Sequence, residues 1–379
     1  MRGINPAVTG KPGEGNQTHD VRGINLAVPS KPGEGNITQG VRGTNLAVPG
    51  NPGEGKTQTN DLSWLQSVPH RLRSRLIQEA LTTEPSDYGL PEGPIVLLLY
   101  AGPDNHTSLE MEIQRSTPWM TPYIVSLDIL RDKQRHDMLH GQLYTHLCNK
   151  ATQGNILAIT GGPNCRTWSI LLHKPQQDGT PGHPLRGRHE PHCWGFAGLT
   201  KRHSDKTDAD SILLLRMLSI YDISRSAGHD PAFLLEHPAD PADHSNEPSA
   251  HKCCSVWSTN ALLSFSEKHN LTWATFPQCA LGQHNGAKWT TIAYRHMEDM
   301  PNLNILTCNH TRHDSQTHTS AELARWSPGL NTAIACSLAH TLSDLQRGHN
   351  TSDSSRTIGT DNIETHKPSV QTIHPETEN

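Results

Sequence analysis

From Pro94 onward, short apolar runs of strand length alternate with longer stretches of helical spacing, and this alternation narrows the fold more than any other feature of the chain. "PIVLLLY" (94–100), "YIVSLDI" (123–129), "NILAIT" (155–160), "PAFLLEHP" (231–238), "LTWATFP" (271–277) and "KWTTIAYRH" (288–296) read as strands. Between them, 136–151, 208–226 and 256–269 read as helices, and a last helix covers part of 321–342. Strand followed by helix, repeated, predicts an α/β fold with a doubly wound, mostly parallel sheet. In such a sheet, ligands meet the residues just beyond the strand C-termini.

The alternating region spans 94–345, and what flanks it differs in texture. Residues 1–60 are three tandem copies of a twenty-residue unit, as in "VRGINLAVPSKPGEGNITQG" from Val21 and "VRGTNLAVPGNPGEGKTQTN" from Val41. Each copy carries little more than one Leu-Ala-Val or Pro-Ala-Val group, too little apolar surface to offset the entropy of ordering, so disorder is expected. Residues 61–93 read as a helical linker broken at Pro69, with Arg71, Arg73 and Arg75 on a solvated face or against a nucleic acid. The polar tail 346–379 is expected to be disordered. An apolar share of 33% agrees with a chain that folds only in part.

The formal net charge of -5 gives no general attraction for phosphate, so a nucleic-acid partner needs a local basic patch. Eight scattered cysteines do not make a disulfide framework. The N-terminus has no apolar signal-like run, and no stretch reaches the roughly 18 apolar residues of a membrane span. These features predict a soluble, intracellular chain, nuclear in a eukaryote, with no membrane partner. Among 25 histidines, His310 and His313 lie near Cys308, but zinc needs a fourth ligand and none is visible, so no metal is expected.

The strand ends carry the chemistry. The first ends in Tyr100, Ala101, Gly102 and Pro103, where glycine admits close approach to the backbone. The second ends at Asp128, placed to accept both hydroxyls of a ribose. The third ends in "GGPNCRTWS", which sets Cys165 on a tight loop, and the fourth presents Glu236. Alone, Cys165 fits a buried thiol after a turn as well as a nucleophile. A thiol and a carboxyl on consecutive strand ends face one crevice and favour chemistry.

In order, these segments resemble the motifs of the cytosine-5 DNA methyltransferase family. Gly162, Pro163, Cys165, Trp168 and Ser169 match its Gly-Pro-Pro-Cys-Gln-x-Phe-Ser loop, and Glu236 and Pro238 its Glu-Asn-Pro motif. "LYAGPDNHTSL" is similar to its cofactor loop, Asp128-Ile129 to its ribose-binding acid, and Asp137-Met138 to the segment that contacts adenine. "QCALGQHNGAKWTTIAYRH" (278–296) and "GTPGHPLRGRHEPHCWG" (179–195) resemble segments of divergent phage-like and retroelement-borne members, which suggests a mobile element. The likeness runs from about Pro94 to Leu342. Asn164, Arg166 and His237 depart from the family pattern, and the about 25 residues between Arg295 and Ala321 are too few for a separate target-recognition domain.

The resemblance implies a methyltransferase-type sheet that binds S-adenosyl-L-methionine through Tyr100, Ala101, Gly102, Pro103, Asp128, Ile129, Asp137, Met138, Gly162 and Pro163. It implies that Cys165 adds to carbon 6 of a cytosine flipped out of DNA. Glu236, protonated in a dry crevice, would donate to N3, and Arg166 with a following helix would lower the thiol pKa. Trp168, Ser169, Arg186, Arg188 and Lys288 would hold the substrate. A monomer is expected. RNA as substrate, and an inactive nucleic-acid-binding protein on the same fold, remain as alternatives.

Overall fold

The structure, a computed structural model, describes residues 62–82, 88–103, 108–175, 178–282, 288–310 and 325–354. The tandem repeats and the end of the tail lie outside the described residues. Six strands form one sheet: β1 (Ile95–Leu99), β2 (Ile124–Leu127), β3 (Ile156–Gly161), β4 (Ala232–Pro238), β5 (Thr272–Pro277) and β6 (Trp289–Arg295). Their order is β2-β1-β3-β4-β6-β5. The first four pair in parallel, while β6 runs antiparallel to both β4 and β5. Every predicted strand is present, with ends moved by a residue or two.

Strands buried on both faces need apolar residues at every position, and β1 reads Ile-Val-Leu-Leu-Leu with all five residues buried. Ile95, Leu97 and Leu99 face a core with Ile159, Phe233 and Leu235, whereas Val96 and Leu98 face a second core with Leu234, Phe276 and Ile292. Helices α1 (His70–Thr82), α3 (Gly141–Thr152), α4 (Lys201–Ser226) and α6 (Asn260–His269) supply the first core. Helix α2 (Leu109–Ser116) and the final helix, α7 (Pro328–Ser354), cover the second; α5 (Pro241–His244) is a single turn after β4. The result is a three-layer α/β sandwich.

Three expectations change. First, the segment before β1 is not a linker over its described part. Trp64, Leu65, Val68, Leu72 and Leu76 are buried in the first core, and the Trp64 indole donates to Asp222 Oδ2 at 3.1 Å. The break at Pro69 starts α1 and turns that apolar stripe inward. Arg71 stays exposed but is engaged within the chain, bidentate on Asp208 and donating to the Trp194 carbonyl. Second, α4 begins at Lys201, seven residues before the apolar pattern, where the Thr200 hydroxyl accepts from His203 N–H as an N-cap. Third, α7 continues to Ser354, past the boundary set at 345.

The strand order places the crevice. From β1 the chain moves to β2 on one side and to β3 on the other, so the ends of β1 and β3 flank the switch point where α/β sheets bind ligands.

Candidate functional site

Because β6 runs against its neighbours, its first residues lie at the same edge of the sheet as the ends of the parallel strands. Glu236 sits near the end of β4, Gln278 directly after β5 and Lys288 directly before β6. Gln278 N–H donates to the Lys288 carbonyl at 2.9 Å, which extends the β5–β6 ladder by one step and puts both side chains on one face. On that face Glu236, buried, is fully engaged on one side. Its Oε1 accepts from Lys288 Nζ at 3.1 Å and from Gln278 Nε2 at 3.3 Å, and its Oε2 accepts from Trp326 Nε1 at 2.9 Å. A carboxylate offers about four acceptor sites, so one remains, on Oε2.

Gln278 is wholly buried and fixes this arrangement. It donates to Thr290 Oγ1 at 2.7 Å and accepts from Ser327 N–H at 3.1 Å, just before α7. Gly162 lies against the open oxygen. A Cβ there would stand 2.7 Å from Glu236 Oε2 and 3.2 Å from the Trp326 indole nitrogen, so the chain tolerates only glycine at this close approach.

Cys165, half-buried, lies in reach of these charges. Burial pushes its thiol up, Lys288 pulls it down, and Glu236 and then Asp210 push it up again, leaving it above the ordinary value. This corrects the expected activation. No helix starts at Cys165; a turn leads to a short 3₁₀ stretch, Ile170–His173, capped by Ser169. Arg166 points away, pairing through Nε and Nη2 with the fully buried Asp210 at 3.0 Å. The cation that favours the thiolate is Lys288, not Arg166. The expected proton on Glu236 also meets a different setting, because each of its three partners is a donor. Asn164 Oδ1 accepts from Arg166 N–H at 3.1 Å and closes the turn locally.

The arginines assigned to substrate are engaged within the fold, Arg186 buried and Arg188 half-buried. Arg186 is buried, with its donors on Thr167, Cys193, Thr207 and Ser211, and it stacks 3.8 Å above the Trp168 ring. Arg188 grips Asp240 in a two-pronged pair at 2.8 and 2.9 Å. Trp168 is buried and meets Trp194 and His237 edge-on. Arg186 and Trp168 brace the Cys165 loop from behind, and the Arg188 guanidinium is taken up by Asp240 and the Cys253 carbonyl. His237 is buried and pushed down to about 3 by burial and by Lys288, so it is neutral.

No family model matches this chain, and no curated protein or solved structure does. The geometry therefore carries the functional reading.

At the ends of β1 and β2, Tyr100 takes a left-handed φ of 60°, held by its hydroxyl donating to the Leu213 carbonyl at 2.6 Å. Burial, then the charges of Asp137 and Asp128, push its phenol far above the ordinary range. Asp128 accepts from Gly102 N–H at 2.9 Å and Leu130 N–H at 2.8 Å, one on each oxygen, so both oxygens keep acceptor capacity. Gly102 has φ +74° and nothing within 4 Å of its Cβ direction. Ile129 and Leu130 expose apolar side chains beside that carboxylate. Asp137 caps its own turn through Leu139 N–H, while Met138 is buried and its carbonyl accepts from Arg216. Ala101 and Pro103 are half-buried at the β1 end, and Pro163 is buried behind Gly162.

The sequence left Gln278, Trp326 and Asp210 unassigned. Only the first had a visible signal, its place directly after a strand.

Proposed function

We propose that the chain transfers a methyl group from S-adenosyl-L-methionine to carbon 5 of a cytosine in DNA, through a covalent adduct with Cys165. The observation that carries this reading is the convergence of Cys165, Glu236 and Lys288 on adjoining strand ends, with the thiol under the influence of both charges. The residues around β1 and β2 fit a nucleoside-type cofactor: a carboxylate with free acceptor sites for ribose hydroxyls, exposed Ile129 and Leu130 for a flat ring, and an open glycine between them. When bound, that cofactor supplies an electrophilic methyl group.

The chain's own residues do the rest. Cys165 gives its proton to solvent and its sulfur adds to carbon 6 of the ring, making carbon 5 nucleophilic. Charge that develops on the ring is met by the Glu236–Lys288 pair. The open site on Glu236 Oε2 accepts from the exocyclic amine, and the Lys288 ammonium is the adjacent donor for N3. After methyl transfer, a water takes the carbon 5 proton, the carbon 6–sulfur bond breaks, and the Cys165 thiolate leaves as the ring is restored. Gly162 keeps the approach to Oε2 clear. The target base must leave the helix to reach these groups.

Covalent trapping tests the reading. The protein is incubated with the cofactor and DNA carrying 5-fluorocytosine, which cannot lose its carbon 5 substituent as a proton. A denaturation-resistant adduct that needs both Cys165 and the cofactor supports DNA methylation; an adduct with RNA alone moves the substrate to RNA. The raised Cys165 thiol favours a second reading, an inactive domain that binds nucleic acid without reacting. Cofactor binding with no adduct at any pH between 7 and 9 selects it.

A further inference from the structure

We propose that Cys279, Cys308 and His310 form a zinc site with water as the fourth ligand, at the edge of the sheet beside Gln278. The fold, not the sequence spacing, assembles it. Cys279 lies in the 3₁₀ turn Gln278–Leu281 that follows β5, and Cys308 follows the 3₁₀ stretch Met300–Ile305. One donor atom from each of the three residues falls within 4.8 Å of the others. Tetrahedral zinc, with Zn–S near 2.3 Å and Zn–N near 2.0 Å, holds two thiolates about 3.8 Å apart and a sulfur and nitrogen about 3.5 Å apart. Cys308 Sγ and His310 Nδ1 are 3.3 Å apart, close to that spacing. That contact alone also suits a hydrogen bond between the two; the second sulfur within reach of both is what a metal needs and a hydrogen bond does not.

Three further features fit. His310 N–H points at Cys308 Sγ from 3.4 Å, an outer contact that supports a metal-bound thiolate. Two thiols and an imidazole select a borderline-soft ion over magnesium or calcium. The site grades from buried Cys279 through half-buried Cys308 to exposed His310, which gives an ion a way in. Without metal, burial and the neighbouring Cys308 sulfur push the Cys279 thiol up to about 11. Binding releases both thiol protons to solvent as two Zn–S bonds form. Gln278, next to Cys279, contacts Glu236, so the ion would brace the turn that positions the carboxylate. His313, singled out from the sequence, lies outside the described residues.

The full-length protein, reduced and stripped by chelator, is titrated with cobalt(II) as the probe. A single equivalent should bring thiolate-to-cobalt charge-transfer absorption and the visible bands of a four-coordinate ion, all lost on adding zinc. Histidine-only binding elsewhere lacks the charge-transfer band. Cys308→Ser, at a half-buried position that leaves folding intact, should weaken binding at least tenfold and cut the band. Cys336→Ser, exposed on α7, should change neither. A folded protein with no sulfur band, a band indifferent to Cys308→Ser, or recovery of a Cys279–Cys308 disulfide after thiols are blocked at lysis overturns the proposal.

Discussion

Lys288 Nζ stands 3.1 Å from Glu236 Oε1, and the same ammonium is the main group drawing the Cys165 thiol down against its burial. One cation thus serves a carboxylate and a thiol. Removing it should raise the Cys165 pKa, while Glu236→Gln should lower it. Alkylation of Cys165 followed from pH 7 to 10 reads both shifts. At pH 8, Lys288→Met should react roughly three- to tenfold more slowly than the wild type, since the thiolate is the reactive form. Equal curves for all three proteins would show that the charges do not reach the sulfur.

The same shift sets the pH dependence of adduct formation. The reactive state is deprotonated and the thiol lies above its ordinary value, so the single-turnover rate should climb through pH 7–9 without a plateau. A flat profile across that range would mean that substrate binding, or another group, activates Cys165.

Gly162→Ala places a methyl group 2.7 Å from Glu236 Oε2, and neither the carboxylate nor the Trp326 ring can retreat without losing a hydrogen bond. We expect a loss of about 1–3 kcal/mol in stability and a larger loss of adduct formation. Combining it with Trp326→Phe should restore part of the stability, because the indole nitrogen is then gone. Chemical denaturation of the four proteins in the cycle measures the coupling, and strict additivity would place the strain elsewhere.

Arg186→Met should cost about 3–5 kcal/mol of stability, because it removes the buried guanidinium that donates to Thr167, Ser211 and the Cys193 and Thr207 carbonyls. Its effect on nucleic-acid affinity, measured well below the melting temperature at fixed salt, should be small. Native stability with a large loss of affinity would return Arg186 to the substrate surface.

Asp222 gives an acid-sensitive anchor for the N-terminal segment. Burial alone would raise its pKa, but hydrogen bonds from His269 and Lys268, with Lys268's charge and Trp64's indole, hold it below the ordinary value. A carboxylate with a depressed folded pKa stabilises the protein above its unfolded value, near 3.9, and loses that contribution as pH falls through the folded value. Asp222→Asn should therefore lower the melting temperature at pH 7 and flatten its decline below pH 4. Unchanged acid unfolding would remove Asp222 from the account.

The strand-end cysteine and glutamate were legible in the sequence because an apolar run that stops at glycine marks a strand end, and strand ends in α/β sheets share one edge. The burial of Arg186 and the pairing of Arg188 with Asp240 were not legible. Arginine in a Gly/Pro-rich loop reads as solvated, and only the approach of Thr167, Ser211 and Asp240 from distant positions shows otherwise. Trp64 was read as linker because its partners, Phe265 and Asp222, lie far along the chain. The crevice beside the ends of β1 and β3 follows from topology, since the order β2-β1-β3 opens it wherever the loops go.

The counter-running β6 has an evolutionary consequence. Loops between the parallel strands can gain or lose residues without moving Cys165 or Glu236, because each hangs from its own strand. Lys288 has no such freedom: Glu236 is paired with Ile292, and a single-residue insertion or deletion between Lys288 and Ile292 would turn the lysine to the opposite face. Among diverging copies of this gene, that short interval should tolerate substitutions but no change of length.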